Sequence, residues 1–96
     1  MSPFKRKKLG KIRFELDKLD NSLIKLIKKR TNLVKKVLAL KEKRNQIVDK
    51  KRIQTILKNI RKKSLKNNID PRITNRIWKN MIWSYIDFER RNFKKK

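Results

Sequence analysis

The 96-residue sequence has no cysteine, no histidine, a single glycine and a single alanine. Without cysteine there is no disulfide framework and no thiol nucleophile. Without histidine the commonest general base and the commonest metal ligand are both missing. Acidic residues are also scarce, eight against thirty-two lysines and arginines. No apolar run is long enough to cross a bilayer, and residues 1–8 lack the apolar core of a signal peptide, which predicts a cytoplasmic chain. Hydrophobic residues make up 36% and charged residues 42%. That is thin for a self-sufficient core, so oligomerisation is expected to supply the missing buried area.

What is present is helical. No stretch alternates with period two for long enough to form a sheet. Leu9, Ile12, Leu16, Leu19, Leu23, Leu26, Leu33, Val37 and Leu40 follow one another at steps of three and four, with one beat missing. This is the seam of a long amphipathic helix from Leu9 to about Arg44. Such a helix is roughly 50 Å long, whereas a compact monomer of this size has a radius of gyration of about 12 Å. The helix therefore calls for a second copy of the chain. Asp49 suits the N-cap of a second helix bearing Ile53, Ile56, Leu57, Ile60 and Leu65, with Asn67-Asn68 as its stop. Asp70-Pro71 starts a third, with a stripe of Ile73, Ile77, Met81, Tyr85 and Phe88 flanked by Trp78, Ile82, Ile86 and Glu89. The predicted organisation is a basic arm (1–8), one helical domain (9–92) and a frayed basic tail (93–96). The fold class is all-α: one long N-terminal helix, then two shorter ones.

The missing beat of the first seam is Arg30. A guanidinium in an apolar seam is costly unless something anionic meets it. Lys41 follows eleven residues later, three turns on, which puts the two cations on nearly one face about 16 Å apart along the axis. Two long side chains leaning together leave room for a small dianion. Arg13 precedes Arg30 by seventeen residues, about 25 Å away and roughly 100° around the helix. It could serve a neighbour's site in a dimer; alternatively Arg13 and Lys41 are two solvated bases among many. The net charge of +24 attracts polyanions in general. The bases are spread along the whole chain rather than gathered in a stripe, which points to compositional drift plus a small anionic ligand. Nucleic acid is not the expected partner.

In order, R-F-E-L-D-K-L-D (13–20), S-L-I-K-L-I-K-K-R (22–30), V-K-K-V-L-A-L-K (34–41), V-D-K-K-R (48–52) and I-D-P-R-I-T-N-R-I-W-K-N-M-I-W-S-Y-I-D-F-E (69–89) resemble the all-helical chorismate mutases over residues 9–92. The resemblance implies an intertwined homodimer of helical bundles that converts chorismate to prephenate in phenylalanine and tyrosine biosynthesis, with no cofactor. It makes Arg13 the arginine contributed by the other subunit. Arg30 clamps a substrate carboxylate, and Lys41 contacts the ether oxygen and a carboxylate. Asp49 holds the ring hydroxyl, and Arg52 adds positive charge near the entrance. Glu89 takes the family's terminal polar position, often glutamine, and Tyr85 a position often held by serine. The reaction is pericyclic. It needs a flexible dianion frozen in its reactive shape and cations or donors where the breaking ether bond gathers charge. An ionised Glu89 cannot donate a hydrogen bond to that oxygen, so the active form is expected to carry a proton there.

One position departs from the pattern. Arg52 is followed by Ile53 where the mutases usually have glutamate. The related isochorismate-pyruvate lyases share the fold and tend to an aliphatic residue here, with Tyr-Ile in the third helix as at Tyr85-Ile86. Lyase activity is therefore the alternative, with Asp49 favouring the mutase. An alternative of another kind is a basic helical module that binds nucleic acid or a partner helix without catalysis.

Overall fold

The computed structural model describes residues 1–95. It is all-α: α1 (Pro3–Leu40), a single 3₁₀ turn at Arg44–Gln46, α2 (Lys50–Lys66) and α3 (Pro71–Asn92), with no strand among the described residues. The chain divides into two units, Met1–Leu33 and Val34–Lys96.

The N-terminal unit is helix from Pro3 onwards, so most of the segment read as a loose basic arm is helical. The reason is a start signal of the same kind as Asp70-Pro71. The Ser2 hydroxyl accepts from the Lys5 amide at 3.2 Å, and proline stands at the first helical position, where its missing N–H costs nothing. No residue of α1 is buried. Ile12, Leu16, Leu19, Leu23 and Leu26 of the predicted seam are all more than half exposed.

The C-terminal unit holds the core. α1 ends at Leu40, four residues before the predicted end. The Gln46 side chain turns back, and its Oε1 accepts from the amides of Glu42 (2.7 Å) and Lys43 (3.0 Å). That satisfies donors which a continuing helix would have paired with carbonyls one turn back. α2 starts as predicted, with Asp49 as N-cap accepting from the Arg52 amide at 3.0 Å. Asn67 is its C-cap, and Asn68 adopts φ 56°, the left-handed conformation that asparagine tolerates. α3 starts at Asp70-Pro71. Asp70 accepts from the Arg72 amide at 2.9 Å and pairs with its guanidinium, and these bonds hold its carboxyl below the ordinary 3.8.

α2 and α3 pack together around Ile47, Ile82 and Ile86, with Val48, Ile53, Ile56, Leu57 and Phe93 against them. Part of the predicted burial pattern is corrected here. Ile73 and Ile77 are about half exposed, and the buried face of α3 is the flank: Ile82, Ile86 and Glu89. The two stripes are neighbours on one helix, and packing against α2 selects the second. Leu65 of the α2 stripe is likewise exposed. Where the helices approach near α3's start, small polar residues meet. The buried Ser64 hydroxyl donates to the Ile60 carbonyl and shares a 2.6 Å hydrogen bond with Thr74 Oγ1. Phe93, read as part of a frayed tail, is half-buried against the core; Lys94 and Lys95 are exposed, and Lys96 lies outside the described residues.

Candidate active site

The polar centre of the C-terminal unit is Lys41, the first residue after α1. It no longer has helical geometry, although its amide still bonds the Leu38 carbonyl at 3.1 Å. Its ammonium reaches across to α3 and donates to Glu89 Oε1 at 3.1 Å and Oε2 at 3.2 Å, and it makes a longer contact with the Ile47 carbonyl at 3.4 Å. Three contacts match the three donors of an ammonium. Glu89 is buried at 5% exposure and the Lys41 side chain retains 18%. A carboxylate so placed is tolerable because a cation meets both of its oxygens.

Lys41 also lines a groove of about 670 Å³, together with Val37, Leu40, Asn45, Val48 and Asp49. Lys50 and Lys51 line it as well, so three ammoniums and one carboxylate border one partly apolar cleft. Asp49 is at once the N-cap of α2 and a wall of this groove. Arg52 is exposed on the first turn of α2. Tyr85 is half-buried one turn before Glu89, on the same side of α3. Of the sequence-derived residues, the structure therefore gathers Lys41, Glu89 and Asp49 about the turn between α1 and α2. Arg13 and Arg30 belong to the N-terminal unit, the first exposed and the second half-buried on α1.

Ile53, the position that departs from the mutase pattern, packs against the isoleucine core. Its side chain is part of the fold, which leaves Asp49 as the acidic residue in the groove. A second groove of about 380 Å³, lined by Leu38, Ala39 and Phe88 with Lys35, Asn92 and Lys94, contains no acid. Sequence reasoning did not find Arg44. Its Nη1 donates to the Arg90 carbonyl at 3.3 Å, and its guanidinium lies 5.5 Å from the Phe93 ring centre. No local signal marks it, because both contacts bridge more than forty positions.

The site is thus a lysine–glutamate pair at the edge of a cleft in an all-helical chain that has neither cysteine nor histidine. The chain belongs to the chorismate mutase type II family, whose model matches residues 12–90. No curated protein and no solved structure matches it. Among the described residues no helix is long and apolar enough to cross a membrane.

Proposed function

We propose that this chain is a chorismate mutase, an isomerase that converts chorismate to prephenate. The observation that carries the proposal is the Lys41–Glu89 pair beside a groove that Lys41 and Asp49 line, in a chain of this family. During the rearrangement one C–O bond breaks and one C–C bond forms, with no proton gained or lost overall. The protein's work is to hold the dianion in its compact reactive conformation and to stabilise negative charge at the departing ether oxygen. Lys41 supplies a cationic donor there, and Glu89 supplies a second donor when protonated. An ionised Glu89 occupies the Lys41 ammonium with both oxygens, whereas a protonated Glu89 donates and leaves the ammonium to the substrate. Arg30 clamps a carboxylate, Asp49 takes the ring hydroxyl, Arg52 adds positive potential, and Tyr85 lines the site. Each of these roles comes from the family resemblance.

The active species is proposed to be a homodimer, in which Arg13 of the partner subunit completes each site. The support is the apolar row of α1, exposed from Ile12 through Leu40 on a helix without a single buried residue. Water-exposed leucine at this density is a cost that a second copy relieves. Ile53 favours one second reading, an isochorismate-pyruvate lyase, because an aliphatic core residue stands where the mutases usually carry glutamate.

The deciding assay offers chorismate and isochorismate separately to the purified chain. Prephenate from chorismate supports the mutase. Salicylate and pyruvate from isochorismate, without prephenate from chorismate, support the lyase. If neither substrate turns over and the chain binds DNA with a steep salt dependence, the basic-module reading takes their place.

A further inference from the structure

Arg44 has no role in the chemistry above, yet it ties the turn that carries Lys41 to the end of α3. Its Nη1 donates to the Arg90 carbonyl, one of the last four carbonyls of α3 and so without an intrahelical donor. A cation there also suits the negative end of the helix dipole. Its guanidinium stands over the ring of Phe93, which packs on the Ile47–Ile82–Ile86 core. Two tethers thus run from one turn to one helix end: Lys41 to Glu89, and Arg44 to Arg90 and Phe93. Between them Gln46 closes the turn on the amides of Glu42 and Lys43.

The second tether matters because of what Lys41 is. It has left the helix, and an ammonium on a four-carbon stem goes where its backbone and partners hold it. We infer that Arg44 is a positioning residue for Lys41: it pins the turn so that the ammonium is already aimed at the Glu89 position. The inference rests on the reading of Lys41 and Glu89 as the reacting pair. It adds a requirement outside the substrate contacts, since pre-aimed donors raise turnover more than they raise binding.

The test compares wild type with Arg44→Ala and Arg44→Lys in two measurements. The first is hydrogen exchange, followed by NMR at the amides of Glu42, Lys43, Gln46 and Ile47 and at the Lys41 ammonium. In Arg44→Ala these sites are expected to exchange about tenfold faster, the size of effect expected when one charged hydrogen bond restrains a local opening, while amides inside α2 and α3 keep their rates. The second is steady-state kinetics: kcat is expected to fall about tenfold with KM within about twofold. Arg44→Lys, which keeps a cation over Phe93, recovers part of both. Unchanged exchange at the turn and at Lys41 overturns the inference. So does faster exchange with kcat unchanged, which makes Arg44 a structural clip only. Acceleration throughout α2 and α3 overturns it too, because the effect is then general loosening. If wild type turns over neither substrate, the mutase reading fails by itself, and the Lys41 ammonium signal still decides whether Arg44 positions that side chain.

Discussion

The two units of this chain solve the problem of a small, highly charged sequence in opposite ways. Val34–Lys96 builds a core of its own, three isoleucines ringed by half-buried apolar side chains, and closes it with a buried lysine–glutamate pair. Met1–Leu33 buries nothing, although its leucines recur as regularly as any in the molecule. Regular spacing makes a helix amphipathic; it does not provide the surface that covers it. The N-terminal unit leaves its apolar row uncovered, whereas the C-terminal unit covers its own.

Charging the exposed row should break this contrast most severely. Leu19→Asp with Leu26→Asp removes two leucine side chains, each worth about 1.5–3 kcal/mol if a second copy covers it, and adds two buried carboxylates. Sedimentation should show a dimer for wild type and a monomer for the double variant, with activity lost. A wild-type monomer with full activity at micromolar concentration would refute the shared helix.

Lys41→Ala strikes the other unit. It strands a buried carboxylate, so stability should drop by about 3 kcal/mol, the low end for breaking a buried pair because Lys41 keeps some exposure. Denaturant unfolding measures the change. A loss below about 0.5 kcal/mol would place the pair with ordinary surface ion pairs.

Arg30 and Arg13 sharpen the comparison between units. Arg30→Ala should cost about 1.5–3 kcal/mol of transition-state stabilisation, roughly 10- to 150-fold in kcat/KM, with helicity intact on circular dichroism. Mixing Arg30→Ala with Arg13→Ala should restore part of the activity, because one site of each heterodimer then regains both arginines. No recovery after demonstrated subunit exchange would remove Arg13 from the neighbour's site.

The smallest effect lies at the start of α3. The bonds from Arg72 hold the Asp70 carboxyl below its ordinary value, so in the folded chain it stays ionised to lower pH than in the unfolded chain. The stability this contributes is present above 3.8 and is lost as pH falls through the lowered value. Asp70→Asn should remove that part of the acid sensitivity, seen as a shallower fall of Tm below pH 4. An identical acid profile would show that the cap does not contribute.

Much of the fold was legible because its signals are local. Asp49, Asn68 and Asp70-Pro71 act within a turn of themselves, and each stands where its chemistry directs. Ser2-Pro3 carries a signal of the same kind and shows that the basic composition of residues 1–8 is no bar to helix. What periodicity could not decide was which of two adjacent apolar stripes on α3 meets α2. Ile73 and Ile77 are as apolar as Ile82 and Ile86, and only packing distinguishes them. The candidate site divides in the same way. Lys41 was singled out by its spacing from Arg30, and Asp49 as an N-cap. With Glu89 they took their site roles from a family pattern, yet the contact joining Lys41 to Glu89 spans forty-eight positions and has no local signature. Arg44 and the Ser64–Thr74 pair were invisible for the same reason.

The most direct test of the central claim, that Lys41 and Glu89 act together on the ether oxygen, is kcat/KM for prephenate formation in wild type, Glu89→Gln and Glu89→Ala, with helical content measured for each protein. The account predicts that Glu89→Gln is at least as active as wild type, because glutamine keeps a hydrogen-bond donor for the ether oxygen and, carrying no charge, leaves the Lys41 ammonium to the substrate. Glu89→Ala removes the donor and should lose about 100-fold in kcat/KM. A Gln variant that is folded and inactive, or an Ala variant as active as wild type, would contradict the claim.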